Sequence, residues 1–283
     1  MPDFKIITDS TTDLTPKLVE ELDVHVIPME FVFGEEVYHN YPDAREMSSE
    51  EFFERLKNGE MPKTNQINTA TFLETFEPYL AEGLDVLYIG FSSALSGTFT
   101  RAQEAIAELR EKYPERKILA ADSLAYSMGE GLLVYYAVQK KKKGASIEQV
   151  ADWVIYHRHF LSQYFTVDDL FHLKRGGRHS GAAALYGTML GIKPILSSDA
   201  DGHLIPVAKI RGRRQALDVL AQKMADTIHA PENQVVFLVH SNTPEDAKYL
   251  VHQIKSKVKV RKIIVNDLGP ILGAHTGPGG TAV

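Results

Sequence analysis

Short apolar runs alternate with helical patterns through the first half of this chain, and that rhythm narrows the fold more than any other feature. The runs are "FKIIT" (Phe4 to Thr8), "LDVLYIG" (Leu84 to Gly90) and "KILAAD" (Lys117 to Asp122). They have strand length and, in the middle one especially, little alternation, as expected of strands covered on both faces. Between them, Thr15-Pro16 offers an N-cap and first helical position for "KLVEEL". Ser48-Ser-Glu-Glu51 has capping-box form before "FFERLKNG", with Gly59 as the stop. Thr98 to Lys112 has amphipathic spacing, and "YSMGEGLLVYYAVQKKKKG" reads as a helix whose four lysines suit the negative end of its dipole. "VHVIPMEFVF" reads as one further extended segment. Alternation of this kind predicts a mostly parallel sheet with helices on both faces.

The second half has another rhythm. Ser146-x-x-Gln149 opens a helix to about Phe160, and "QYFTVDD" is a short strand. "KPILSSDADGHLIPVAKI" reads as two strands around an Asp-Gly turn, hence a hairpin. A helix from about Arg213, the strand "QVVFLV", a Thr243-Pro-capped helix and "VRKIIVND" follow. A mixed sheet with helices is expected here. With 283 residues there is room for two domains. The division predicted is 1–155 and 156–283, both α/β, with the last residues packing back near the junction.

Several function classes recede on composition. A net charge of -6 argues against nucleic acid as the main partner. The absence of cysteine removes disulfides, thiolate metal sites and thiol nucleophiles, and fits a reducing cytosol. The N-terminus lacks the basic and apolar regions of a signal peptide, and no apolar run reaches membrane-spanning length, so a cytoplasmic location is expected. Neither G-x-G-x-x-G after the first strand nor G-x-x-x-x-G-K-[ST] is present. Eleven histidines form no H-E-x-x-H, and His157 and His159 lie two apart on a predicted helix, facing different ways. Neither a metal nor a cofactor is read.

Chemistry concentrates in "GFSSALSGTFT" (Gly90 to Thr100), a strand-to-helix turn with five hydroxyl side chains and no charged residue. It is a near miss for a nucleophile elbow, with Ala94 where G-x-S-x-G requires its last glycine. That leaves a serine hydrolase using Ser92 or Ser93 with His275 as the alternative reading. A helix N-terminus also holds anions through its unpaired N–H groups. A doubly charged phosphate would recruit Arg or Lys, and Arg101 comes a full turn too late. A single carboxylate fits Ser92, Ser93, Ser96, Gly97 and Thr98 better. A second neutral stretch, "TNQINT" (Thr64 to Thr69), and the Gly-rich "GPILGAHTGPGG" holding His275 are candidates for the same ligand. Read as structure alone, Asn68 to Thr71 is an N-cap segment with capping-box form through Glu74.

These stretches together resemble the DegV family, the bacterial fatty-acid-binding proteins that carry the acyl chain for fatty acid kinase. The resemblance runs through "IITDSTTDL" (Ile6 to Leu14), "PKTNQIN" (Pro62 to Asn68), "SSALSGT" (Ser92 to Thr98) and "ADSLAYSMGEG" (Ala121 to Gly131). It continues through "DDLFHLKRGGRHSG" (Asp168 to Gly181), "GTMLGIKPIL" (Gly187 to Leu196), "KIRGRRQAL" (Lys209 to Leu217) and "GPILGAHTGPG" (Gly269 to Gly279). Eight motifs in order cover essentially the whole chain. The resemblance implies two α/β domains with a lipid in a tunnel between them. It implies that Thr64 and Ser93 hydrogen-bond the carboxylate, with His275 beside the head group; Ser96, Gly97 and Thr98, read above from the helix start, complete the expected seat. Arg178 and Arg211 match positions that dock the kinase. The ligand implied is a long-chain fatty acid, its acyl phosphate feeding phospholipid synthesis, and transient contact with a membrane surface would serve lipid exchange.

Three departures stand out. Asn65 and Ile67 replace the usual Ser and Pro, His179 stands where an aliphatic residue is common, and the chain stops at "TAV", short of the usual apolar C-terminal strand. The last leaves open whether the C-terminus is complete. The energetics suit a lipid. At about 0.8 kcal/mol per buried methylene, roughly sixteen carbons offer on the order of 10 kcal/mol before ordering costs.

Overall fold

The computed structural model describes residues 3–168, 170–178 and 191–283. The first half begins with β1 (Phe4–Asp9), α1 (Pro16–Leu22), β2 (His25–Ile27), β3 (Met29–Phe33), β4 (Glu36–Asn40), α2 (Ser49–Lys57) and β5 (Lys63–Thr64). It continues with α3 (Thr69–Ala81), β6 (Asp85–Gly90), α4 (Thr98–Lys112), β7 (Ile118–Asp122), α5 (Met128–Lys142) and α6 (Ile147–His157). Strands β2-β1-β6-β7 form a sheet in that order, every pairing parallel. All six residues of β6 are buried, because helices cover both faces of this central strand.

Local signals set the helix starts. Thr15 accepts from Leu18 N and Ser48 from Glu51 N, and Ser146 with Gln149 closes a reciprocal capping box. Helix α3 starts ahead of the Thr71–Glu74 pattern: Asn68 is its cap and accepts from Thr71 N at 2.9 Å. "VHVIPMEFVF" is not one strand. Either side of Pro28 the chain joins different sheets, β2 pairing with β1, and β3 lying between β4 and β5 in a small antiparallel sheet.

The second half comprises β8 (Phe165–Thr166), α7 (Phe171–Gly176), β9 (Ile192–Ser198), β10 (Leu204–Arg211), α8 (Arg213–Thr227) and β11 (Val235–His240). After them come α9 (Pro244–Lys257), β12 (Lys262–Asp267), α10 (Pro270–Thr276) and β13 (Thr281–Ala282). The sheet order is β10-β9-β8-β13-β11-β12, and only β11 with β12 is parallel. The predicted hairpin is β9–β10. Its turn is closed by Gly202 N on Asp199 O at 3.2 Å, with Gly202 at φ +86°. Thr243 precedes α9 without capping it through its side chain; its hydroxyl lies 3.4 Å from that of Thr281.

One apolar core spans both halves, with Val235, Phe237, Val239, Leu268 and Ile271 packed into the core of the parallel sheet. A smaller cluster of Phe91, Tyr126, Phe165, Val167, Leu173, Leu196 and Leu204 lies where loops of the first half meet strands of the second. Helix α6 runs to His157, so a division at 155 to 156 falls inside its last turn. The stretch 158–164 then leads into the mixed sheet. Among the described residues, no helix is long and apolar enough to cross a membrane.

Candidate functional site

The loops that leave the carboxyl ends of β6 and β7 build one wall of the site. β1 connects to β2 on one flank while β6 lies on the other, so the chain diverges between β1 and β6. Open parallel sheets hold ligands at such a divergence. A cavity of about 350 Å³ lies here, walled by Phe91, Leu95, Ser96, Tyr126 and Ser127 from these loops. Met29 and Thr64 to Gln66 close one side, and α10 with β13 closes the other.

Its polar end brings hydroxyls and an imidazole together, with the Arg178 guanidinium in the same wall. Thr64 Oγ1 lies 2.9 Å from His275 Nε2. Burial pushes the His275 imidazole down to about 4, and the charges of Arg178 and Arg175 push the same way. The ring is therefore uncharged at pH 7. Its buried Nδ1 has no hydrogen-bond partner among the described residues. An unpaired lone pair costs less than an unpaired N–H, which puts the proton on Nε2. His275 then donates to Thr64, and the Thr64 hydrogen is left for a group in the cavity. Gly176 makes this packing possible, since a Cβ there would lie 2.2 Å from Nδ1.

Ser96 is arranged in the same sense. Its Oγ accepts from Thr98 N at 3.2 Å and lies 2.9 Å from Thr98 Oγ1. Ile67 N reaches Thr98 Oγ1 at 3.4 Å. Either hydroxyl of this pair can be the donor; when Thr98 donates, the Ser96 hydrogen is free for a group in the cavity. Thr98 itself is fully buried behind Ser96 and does not line the cavity. Gly97 is exposed and serves by close approach: a Cβ there would sit 2.2 Å from Gln66 Oε1.

Ser93 is not in this seat. It is exposed, its backbone N–H donates to Asp122 Oδ1 at 3.2 Å, and it forms no part of the cavity wall. The reason is the tight turn closed by Leu95 N and Ser96 N on Ser92 O, which carries Ser93 outward and Ser96 inward. Ser92 is fully buried and donates to Gly202 O at 3.2 Å. Neither serine is paired with His275, whose Nε2 is engaged by Thr64, so the triad-like geometry of the hydrolase alternative is not formed. Arg178 lines the cavity and donates to Gly176 O and Leu95 O at 2.7 and 3.2 Å. Arg211 is exposed at the end of β10, outside the wall. His179 and Ser180 to Leu190 lie outside the described residues.

A second chamber of about 620 Å³ adjoins the first and shares Tyr126, Ser127, Val239 and Ala282 with it. Leu132, Leu133, Tyr136, Trp153 and Met224 give it a mainly apolar lining. The two chambers fall in the size range of small-molecule sites.

A group of buried acids was not anticipated. Asp9 accepts from Tyr88 OH at 2.6 Å and from Thr11 N at 3.0 Å. The Thr11 hydroxyl lies between Asp9 and Glu130, and burial pushes both carboxyls up, Asp9 adding to the rise at Glu130. Asp13 accepts from Ser127 Oγ at 2.6 Å and Gly269 N at 2.9 Å, and burial pushes it up to about 7. It thereby ties the loop after β1 to the N-terminus of α10, the helix that carries His275. The available signal was "TDSTTD": acids placed where an apolar strand meets the carboxyl end of its sheet.

An α/β fold with a mainly apolar cavity and one hydroxyl-bearing end has the form of a small-molecule-holding protein. Comparison with known proteins fixes the family. Residues 3–283 match the family described as "Uncharacterised protein, DegV family". A DegV domain-containing protein of Clostridium perfringens is 42% identical over 283 residues, covering 100% of this chain and 97% of that one. One from Streptococcus pyogenes is 35% identical, covering 99% and 96%. Among solved structures, a DegV family protein of Thermus thermophilus, described as fatty acid binding, superposes with a TM-score of 0.90 at 29% identity, over 100% of this chain and 98% of that one. Bacillus subtilis DegV, described as a fatty acid binding protein, gives 0.86 at 28% identity with the same coverage. This chain belongs to the DegV family.

Proposed function

We propose that this protein binds a long-chain fatty acid, with its carboxylate at Thr64, Ser96 and His275 and its chain running toward the apolar chamber. The observation that carries the proposal is the pair of hydroxyls, Thr64 and Ser96, in the wall of a cavity lined mainly by apolar side chains. Two oriented donors suit the two oxygens of a carboxylate. The fatty acid binding described for the Thermus and Bacillus relatives supports the same reading. Apolar burial supplies most of the affinity and the hydroxyls fix orientation.

A uniquely oriented carboxyl is what a separate kinase would need, and we propose that the protein presents it for phosphorylation and then carries the acyl phosphate toward phospholipid synthesis. Phosphoryl chemistry then belongs to the partner, as no nucleotide-binding motif occurs here. Arg178, beside the cavity mouth, and the exposed Arg211 are the residues proposed to meet that partner. Gentle denaturation followed by lipid mass spectrometry tests the core reading. Release of a C14 to C18 fatty acid, or binding of added palmitate or oleate, is expected; the absence of both would overturn it.

A further inference from the structure

Two segments of the cavity wall are tied to β1 through a pair of buried acids. Asp9 ends β1, Glu130 lies in the first turn of α5, and neither exposes any surface. Phe91, after β6, and Tyr126 and Ser127, which lead into α5, line the first chamber. Ser127, Met128 and Gly129 line the second. Helix α5 can approach the chain after β1 because Gly131 has no side chain: a Cβ there would lie 2.9 Å from Thr12 O.

The hydrogens in this group can be counted. The Thr11 hydroxyl is within hydrogen-bond distance of Asp9 Oδ1 and of Glu130 Oε2, the latter at 2.7 Å. It has one hydrogen to give. The Thr8 hydroxyl lies 3.3 Å from Glu130 Oε1, but its hydrogen goes to Ile89 O at 2.7 Å, a carbonyl that can only accept. One of the two carboxyls must therefore bring a hydrogen of its own. Asp9 is well supplied with donors: Tyr88 OH at 2.6 Å, Thr11 N at 3.0 Å and Phe91 N at 3.4 Å. Such a set suits the ionised form. Glu130 has no backbone donor among the described residues, so the hydrogen falls to it.

The surroundings favour the same assignment. Burial pushes the Glu130 carboxyl up, and the charged groups acting on it, Asp9 and Asp13, are both acids and push the same way. Asp13 is itself held by Ser127 Oγ and Gly269 N. Tyr88, held well above its ordinary value by burial and by Asp9, Glu130 and Asp122, remains a donor.

We infer that Glu130 is a positioning residue that works as a neutral acid, donating through the Thr11 hydroxyl to the Asp9 carboxylate and so tying the first turn of α5 to the end of β1. Ionised, it would set two carboxylates on one hydroxyl and part that tie.

Infrared spectroscopy at pH 7 tests the assignment. The C=O stretch of a protonated carboxyl is expected, shifting when glutamate carboxyls carry carbon-13 and lost in Glu130→Gln. Asp13, raised to about 7, adds an aspartate band that this label does not move. No glutamate band, or one that survives in Glu130→Gln, would overturn the inference. Unfolding gives a second readout. The unfolded chain releases the proton above the ordinary value of 4.5, whereas the fold retains it. The folding equilibrium constant of the parent should therefore fall against that of Glu130→Gln by about tenfold per pH unit near neutrality. A constant ratio would contradict this.

The positioning role is tested with Glu130→Leu, which fills similar space without a donor; this arm rests on the fatty-acid reading. Palmitate should bind it about tenfold more weakly than Glu130→Gln, which keeps the donor. Equal affinities would remove the positioning role. Palmitate binding to no form, the parent included, would overturn the fatty-acid reading and leave the infrared assignment standing.

Discussion

The two chambers of this protein solve different halves of one problem. The smaller one ends in Thr64, Ser96 and His275, held by what lies behind them: Thr98 behind Ser96, and the bare backbone of Gly176 against the imidazole. The larger one is walled by Leu132, Leu133, Trp153 and Met224, where contact is non-directional and scales with area. On the proposed function, strength and orientation are supplied by separate parts of the fold. The polar end joins the turn after β6, which carries Ser96, to Thr64 of β5 and His275 of α10. The apolar chamber lies between α5, α6 and the mixed sheet.

That division can be broken or sharpened by experiment, beginning with the largest effect. Shortening the ligand from sixteen to ten carbons removes six methylenes, worth about 5 kcal/mol or several thousandfold in affinity. Titration of a chain-length series checks this; a plateau beyond ten carbons would mean that the larger chamber is not used.

Next in size is a pH effect at the polar end. His275 is depressed from an ordinary histidine value of 6.5 to about 4 in the fold, so between those values the unfolded chain binds the extra proton. Its contribution to stability is present above pH 6.5 and is lost as pH falls toward 4, by about 3 kcal/mol. Asp13, raised to about 7, acts oppositely, losing stability as pH climbs from about 4 to 7. The difference between the denaturation curves of the parent and His275→Gln isolates the first contribution. A difference that does not vary from pH 7 to 4 would show that the imidazole is not buried as neutral.

Smaller still, Ser96→Ala and Thr64→Val should each weaken fatty-acid binding by roughly 1 to 3 kcal/mol, as a charged acceptor loses a donor. Ser93→Ala should change it by less than about 0.5 kcal/mol, the usual range for an exposed site. Reversal of that order would return the carboxylate to Ser93.

Much of this was legible in the sequence, and the exceptions share a cause. The continuous apolar run of β6 and the Asp-Gly hairpin announced themselves, because burial and turn chemistry act over a few residues. "SSALSGT" marked a turn that reaches the cavity wall, but not which of its serines lines that wall. Which hydroxyl faces inward depends on how the chain winds between Ser92 and Ser96, a matter of three-dimensional turn geometry. The same limit applies to "VHVIPMEFVF", whose halves are both extended yet belong to different sheets. Asp9 and Glu130 lie 121 positions apart and meet only through the Thr11 hydroxyl, so no local pattern could join them.

The central claim is the direction of the ligand, carboxylate at Thr64 and Ser96 and tail toward Trp153 and Tyr136. A crystal structure with 16-bromohexadecanoic acid tests it most directly, since anomalous scattering locates the bromine independently of the chain. The account predicts bromine in the larger chamber and carboxylate oxygens within hydrogen-bond distance of Thr64 Oγ1 and Ser96 Oγ. Bromine beside Ser96, or a chain lying wholly outside both chambers, would contradict it.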